Sequence, residues 1–155
     1  MMLLSTIIYT AFATLTSALP TTLSERAGGP STKPIPDTCK LSNPHGQTAS
    51  WPSDFIPAPS VKSVELYAAY YPSPSPNTTQ MAQQCLEQCY GYGTSTECKG
   101  AFWAENVVVP PGYYGSEGGQ LETACVFYTR ALTDEDFEEA PEGQGTSAFA
   151  RNIAC

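Results

Sequence analysis

The stretch TQMAQQCLEQCYGYGTSTECKGAFWAE, residues 79–105, decides the fold. Ala82, Cys85, Leu86 and Cys89 recur at helical spacing, so a helix is expected over about 79–90. Asn77, Thr78 or Thr79 can cap its start, and Gly91 closes it. From Cys98 to Glu105 the period drops to two, with Cys98, Gly100, Phe102 and Ala104 on one side of a strand and Ala101 and Trp103 on the other. A helix carrying two cysteines therefore leads into a strand that begins at a third.

The chain contains six cysteines, Cys39, Cys85, Cys89, Cys98, Cys125 and Cys155, and an even number in an oxidising compartment implies three disulfides. Side chains four apart on a helix stand about 5–6 Å apart at Cβ, whereas a disulfide wants about 3.8 Å. Cys85 and Cys89 are thus not expected to bond each other, and the other pairings stay open. Each of them ties one helix face to two other places in the chain. A zinc site from Cys85, Cys89, Cys98 and His45 would need a second close ligand pair and a reducing compartment, so no metal and no cofactor is expected. His45 lies in Asn43-Pro44-His45-Gly46, which is turn chemistry, and is expected to be a solvated loop residue.

Upstream, the first charged side chain is Glu25, and Leu3, Leu4, Ile7, Ile8, Tyr9, Phe12 and Leu15 form an apolar stretch ending in Thr16-Ser17-Ala18. This reads as a secretory signal peptide over residues 1–18. Residues 19–38 hold four prolines and a glycine pair without apolar period, and are expected to be a flexible Pro-rich leader. The domain is expected over 39–155. With 41% hydrophobic and 11% aromatic residues the 155-residue chain has the composition of one small globular domain. Its net charge of -8 gives no footprint for nucleic acid or anionic lipid, and no membrane insertion is expected. The protein is therefore expected to be secreted, extracellular and monomeric.

Downstream and upstream of the opening stretch the pattern is that of a sheet. Residues 61–71 alternate Val64, Leu66, Ala68 and Tyr70 with Glu65, Tyr67, Ala69 and Tyr71, and Pro72, Pro74 and Pro76 end the run. Further strands are expected at 124–129 and 147–154, separated from the second strand by the Pro- and Gly-rich loop VVVPPGYYGSEGGQ, residues 107–120. Thr133-Asp134-Glu135-Asp136 looks like a helix start. Residues 39–60 are expected to be irregular, pinned by Trp51 and Phe55.

The order of a helix with Cys85 and Cys89, then Cys98 followed by Ala101-Phe102-Trp103, then Cys125-Val126-Phe127-Tyr128 resembles the PAN/apple domain as it occurs in small secreted fungal proteins. The resemblance is strongest over residues 61–132. It implies an α+β fold in which a curved antiparallel sheet packs on one central α-helix, stapled by three disulfides. It also implies the pairings Cys39–Cys155, Cys85–Cys125 and Cys89–Cys98. PAN/apple domains are recognition modules, so the resemblance implies binding of carbohydrate or protein at a cell wall or host surface, as an adhesin or effector.

The residues point away from catalysis. A triad needs a base, and the single histidine sits in a Pro-Gly turn. An acidic pair could serve a small hydrolase, but Asp134, Glu135, Asp136, Glu138, Glu139 and Glu142 read as a solvated acidic run, and it lacks the glycine of a calcium loop. A structural wall protein without specific ligand is the remaining alternative. Tyr113 and Tyr114, bracketed by Gly112 and Gly115, are the leading ligand-binding candidates, because aromatic rings on a loop face water or a partner. Tyr67, Tyr71 and Trp103 are a second set, expected on the sheet face opposite the helix. Asn77-Thr78-Thr79 is an N-glycosylation sequon at an exposed helix start, so Asn77 is expected to carry a glycan.

Overall fold

The helix predicted from the 82, 85, 86 and 89 spacing is present in a computed structural model that describes residues 30–46 and 53–155. The expected signal peptide, the first part of the leader and Trp51 lie outside the described residues. In chain order the elements are β1 (Lys40–Ser42), β2 (Phe55–Pro57), β3 (Glu65–Tyr71), α1 (Thr78–Gly91), β4 (Gly100–Val108), β5 (Leu121–Tyr128), β6 (Phe137–Glu139) and β7 (Thr146–Ala154). Five strands form one antiparallel sheet in the order β1-β7-β4-β5-β3, and β2 pairs with β6 in a separate ribbon. The fold is α+β, with antiparallel sheets, one main helix and three disulfides.

Sequence dictates the start of α1 locally, and the helix runs through Gly91, with the extended Tyr92 after it. Asn77 caps it, its Oδ1 accepting the backbone N–H of Gln80 at 3.1 Å. The buried stripe Met81, Ala82, Cys85, Leu86 and Cys89 packs on the sheet. A 14-residue helix is marginal in isolation, so α1 depends on this packing, each fully buried large side chain contributing about 1.5–3 kcal/mol. Two disulfides reinforce it, Cys85–Cys125 into β5 and Cys89–Cys98 at the approach to β4. Cys39–Cys155 joins the ends of β1 and β7, which are already paired from Lys40 to Ala154. The pairing is the one the PAN/apple resemblance implies.

The sheet is covered on both faces. Toward the helix lie Ala101, Trp103, Cys125, Phe127 and Ile153. Toward the β2–β6 ribbon and the 3-10 turn at Pro59–Val64 lie Phe102, Ala104, Val126, Tyr128 and Ala150, meeting Phe55, Val61 and Phe137. Residues 100–104 and 123–128 are consequently buried without a break. The expected alternation of Phe102 and Ala104 against Ala101 and Trp103 holds.

Other expectations shift by an element or a few residues. Residues 59–64 form a 3-10 turn led by Pro59, and β3 starts at Glu65 with a bulge before Tyr67. β4 extends to Val108, and β5 starts at Leu121. The acidic run at 134–136 makes a single 3-10 turn that ends in β6. His45, expected in solvent, is buried, its ring 4.7 Å from Phe55 and 4.8 Å from Phe137, with Nδ1 2.9 Å from Asp134 Oδ1. The last part of the Pro-rich leader lies along α1: the Lys33 amide donates to the Glu87 carbonyl at 3.2 Å, and Ile35 packs on the helix-side core. Gly91 permits that crossing, because a β-carbon there would run into the Ser31 carbonyl.

Asp136 anchors the turn into β6. Its carboxylate accepts two bonds from Arg130, at 2.7 and 2.6 Å, and the backbone N–H of Thr133 at 2.8 Å. The Arg130 fork holds its pKa down to about 2 against the ordinary 3.8, with the Thr133 amide helping and burial opposing. A depressed carboxyl pKa gives stability that is present above the unfolded value and lost as pH falls toward the folded one. Removing the partner should expose this: Arg130→Met is expected to lower stability at pH 7 by about 1–2 kcal/mol, and the difference from the native chain should shrink between pH 4 and pH 2 in denaturant melts.

Candidate binding site

The β4–β5 hairpin ends in a loop that folds toward the open edge of the sheet at β3. Val109 and Gln120 close its base, the Val109 amide donating to the Gln120 carbonyl at 2.9 Å. Beyond Pro110 and Pro111 the chain turns sharply, with φ +84° at Gly112 and +79° at Gly115, a left-handed backbone that glycine adopts freely. Between them Tyr114 also has positive φ, at 46°, which an L side chain adopts only when the surroundings enforce it. The turn is held by Gly112 donating to the Ser116 carbonyl and Ser116 to the Tyr113 carbonyl, both at 2.9 Å.

This backbone gives the two tyrosines different roles. Tyr113 turns onto β3: its phenol oxygen accepts the edge N–H of Tyr70 at 3.0 Å, and its ring meets the Tyr70 ring edge-on at 4.9 Å. Tyr114 stands on Tyr113, with rings 4.7 Å apart at 80°, and is 88% exposed. Among the described residues it is the most exposed of the large hydrophobic side chains, and Val108 and Leu121, cross-strand partners at the base of the same hairpin, are also exposed. An inward tyrosine thus carries an outward one.

Tyr67 and Tyr71 reach this edge from the helix side. Burial pushes the Tyr67 phenol pKa up, and the neighbouring phenols of Tyr113, Tyr114, Tyr92 and Tyr71 add to it. The Tyr67 ring lies 5.1 Å from Phe127 and 5.9 Å from Tyr92. Both tyrosines are half-buried against the helix-side core, so their expected position opposite the helix is corrected. Trp103 is corrected more fully: it is wholly buried under α1 and can touch no ligand. The register explains both. Cys125 faces the helix to bond Cys85, and its cross-strand partner is Trp103; Phe127 pairs with Tyr67, and Thr123 with Tyr71. Directly paired residues share a face. Sequence reasoning does not single out Tyr70 and Tyr92; the run YAAYY holds the signal for Tyr70, on the face that alternates with Tyr67 and Tyr71.

The opposite sheet face carries a cleft of about 350 Å³ between the sheet and the segment around the 3-10 turn. Phe102, Val126 and Tyr128 form its floor and Pro57, Pro59 and Val61 a wall. Tyr70 lines it from β3, beside the ion pair of Lys62 and Glu65 at 2.6 Å. The acidic run gathers no metal site: Asp134 contacts His45, Asp136 is taken by Arg130, and no cluster of three metal-ligating side chains occurs among the described residues.

Asn77 is exposed and uses only Oδ1 as the helix cap, so a glycan on its amide nitrogen is compatible with the cap. Asn77→Ser should keep the cap and, in a secreted preparation, abolish the mobility shift given by glycan removal, whereas Asn77→Ala should also cost about 1 kcal/mol in a denaturant melt. At the tyrosine edge, Tyr113→Phe deletes the acceptor for the Tyr70 amide, and hydrogen exchange of that amide is expected to accelerate about 5-fold with little change in melting temperature. No family model matches the chain, and neither a curated protein nor a solved structure matches it.

Proposed function

We propose that this protein is a secreted, non-enzymatic recognition module of PAN/apple type that binds a carbohydrate or an extracellular protein at a cell wall or host surface, in the manner of an adhesin or effector. The observation that carries the reading is Tyr114: an 88% exposed ring, on a backbone of positive φ, braced from below by Tyr113. Holding an apolar ring in water on a strained turn costs free energy, and such cost is found where a partner returns it. The ring offers a flat face to a sugar or an anchor to a protein pocket, and its fixed geometry reduces the entropy lost on binding. Val108 and Leu121 extend the apolar surface at the same end of the hairpin.

The three disulfides, with first bonded to sixth, second to fifth and third to fourth, support both the family reading and an oxidising compartment. No helix among the described residues is long and apolar enough to cross a membrane. An acid-pair hydrolase needs two carboxylates facing across a cleft. In the cleft of this protein Glu65 is the lining carboxylate, and it is paired to Lys62, which favours binding over hydrolysis.

The test is a glycan array together with a pull-down from wall material, run with the native protein and with Tyr114→Asn, a residue that tolerates the left-handed backbone. Saturable binding by the native protein, weakened at least about 10-fold in the variant with its melting temperature kept, is expected. Binding unaffected by Tyr114→Asn, or no binder in either assay, overturns the assignment.

A further inference from the structure

The cleft on the ribbon side of the sheet is far from uniform in chemistry. Its walls are hydrocarbon and aromatic, and its floor includes Tyr128, whose residue is only 1% exposed. A buried phenol normally finds a hydrogen-bond partner. Among the described residues no hydrogen bond reaches the Tyr128 hydroxyl, which is not one of the fully enclosed side-chain atoms left without a partner, and Glu65 and Tyr70 line the same cleft near enough to act on it electrostatically. Burial pushes the Tyr128 phenol well above its ordinary pKa of 10 and that of Tyr70 up to about 12, with the Glu65 carboxylate adding to both. Both phenols therefore stay neutral donors at any physiological pH. The carboxylates that act on them are each paired with a cation, Glu65 with Lys62 at 2.6 Å and Asp136 with Arg130 at 2.6 Å, so the polar corner carries no net charge.

A cleft of this size, apolar over most of its lining and with a few convergent polar groups, has the make-up of a small-molecule site. We infer that it binds an uncharged, mainly hydrocarbon molecule of one or two rings, whose hydroxyl or carbonyl oxygen bonds the Tyr128 hydroxyl while its rings lie between Phe102 and Val126 on the floor and Pro57 and Val61 on the wall. Charge complementarity sets the class. A carboxylate or sulfonate would have to compete with Glu65 for Lys62, and a cation would have to compete with Lys62 for Glu65. A fully apolar molecule would fill the walls and leave the Tyr128 donor unmet, at a cost of about 1–3 kcal/mol. The site borders the Tyr114 surface and shares Val108 and Tyr70 with it, the Tyr70 ring lining the cleft and standing edge-on to Tyr113, but Tyr114 itself does not line it.

The probes are 2-naphthol, naphthalene and naphthalene-2-sulfonate at neutral pH, followed by calorimetry and by amide shifts in the full domain. The expected result is saturable one-to-one binding of 2-naphthol with shifts at Phe102, Val126 and Tyr128, about 5-fold or more weaker binding of naphthalene, and none of the sulfonate. Tyr128→Phe should reduce 2-naphthol to the naphthalene level and leave naphthalene unchanged. Val107→Trp, on the half-buried rim of the cleft where Val107 packs beside the floor, should block both, with a melt checking that the fold is kept. Tyr114→Asn should change neither, which separates failure of this site from failure of the surface reading. No saturable binding of 2-naphthol, shifts confined to the Tyr114 loop, or undiminished binding in both Tyr128→Phe and Val107→Trp would overturn the proposal.

Discussion

One face of α1 sends two covalent bonds into the sheet, and most of the molecule is arranged around that fact. Cys85 and Cys89 stand one turn apart, and their partners Cys125 and Cys98 lie in β5 and just before β4, the two strands that form the sheet centre. A helix pinned at two points along its length can neither rotate about its axis nor slide. The stripe from Met81 to Cys89 is therefore fixed over Trp103 and Phe127. Because Cys125 must face the helix, every residue paired beside it faces the helix too, and the burial of Trp103 follows from the position of a sulfur atom on the next strand.

The other face obeys a different constraint. An antiparallel sheet usually leaves one side to water, but here short, irregular pieces of chain cover it: the three-residue strands β2 and β6, the turn after Pro59, and His45 inserted between Phe55 and Phe137. Side chains delivered by loops do not tile a sheet as completely as a helix does. The cleft beside Tyr128 is what such a cover leaves.

The sequence made the strong periods legible and the weak ones not. The 3.6-residue repeat of α1 and the two-residue alternation from Ala101 to Ala104 needed no tertiary information, and both are present as expected. The helix spacing by itself excluded a Cys85–Cys89 bond. Which way Trp103 points was another matter, since alternation separates two faces without saying which of them meets the helix; only the register to Cys125 decides it. The strands β1, β2 and β6 are three residues each, too short to show any period. The tyrosine pair was visible because Gly112 and Gly115 announced a turn. That Tyr113 would fold inward onto Tyr70 and lift Tyr114 outward depended on a single backbone angle at Tyr114.

The bond between Cys39 and Cys155 has a mechanical meaning. It closes residues 39–155 into a covalent ring whose two ends stay 4.1 Å apart at Cα. A pull applied between the segment before Cys39 and Cys155 crosses one sulfur–sulfur link, where an open chain of that length would pay out to roughly 400 Å. Such tension never reaches the hydrogen bonds of the sheet. Tension applied between the segment before Cys39 and the Tyr114 loop would load the hairpin instead, and the force would then pass through β4 and β5, beside the two sulfur bonds to the helix.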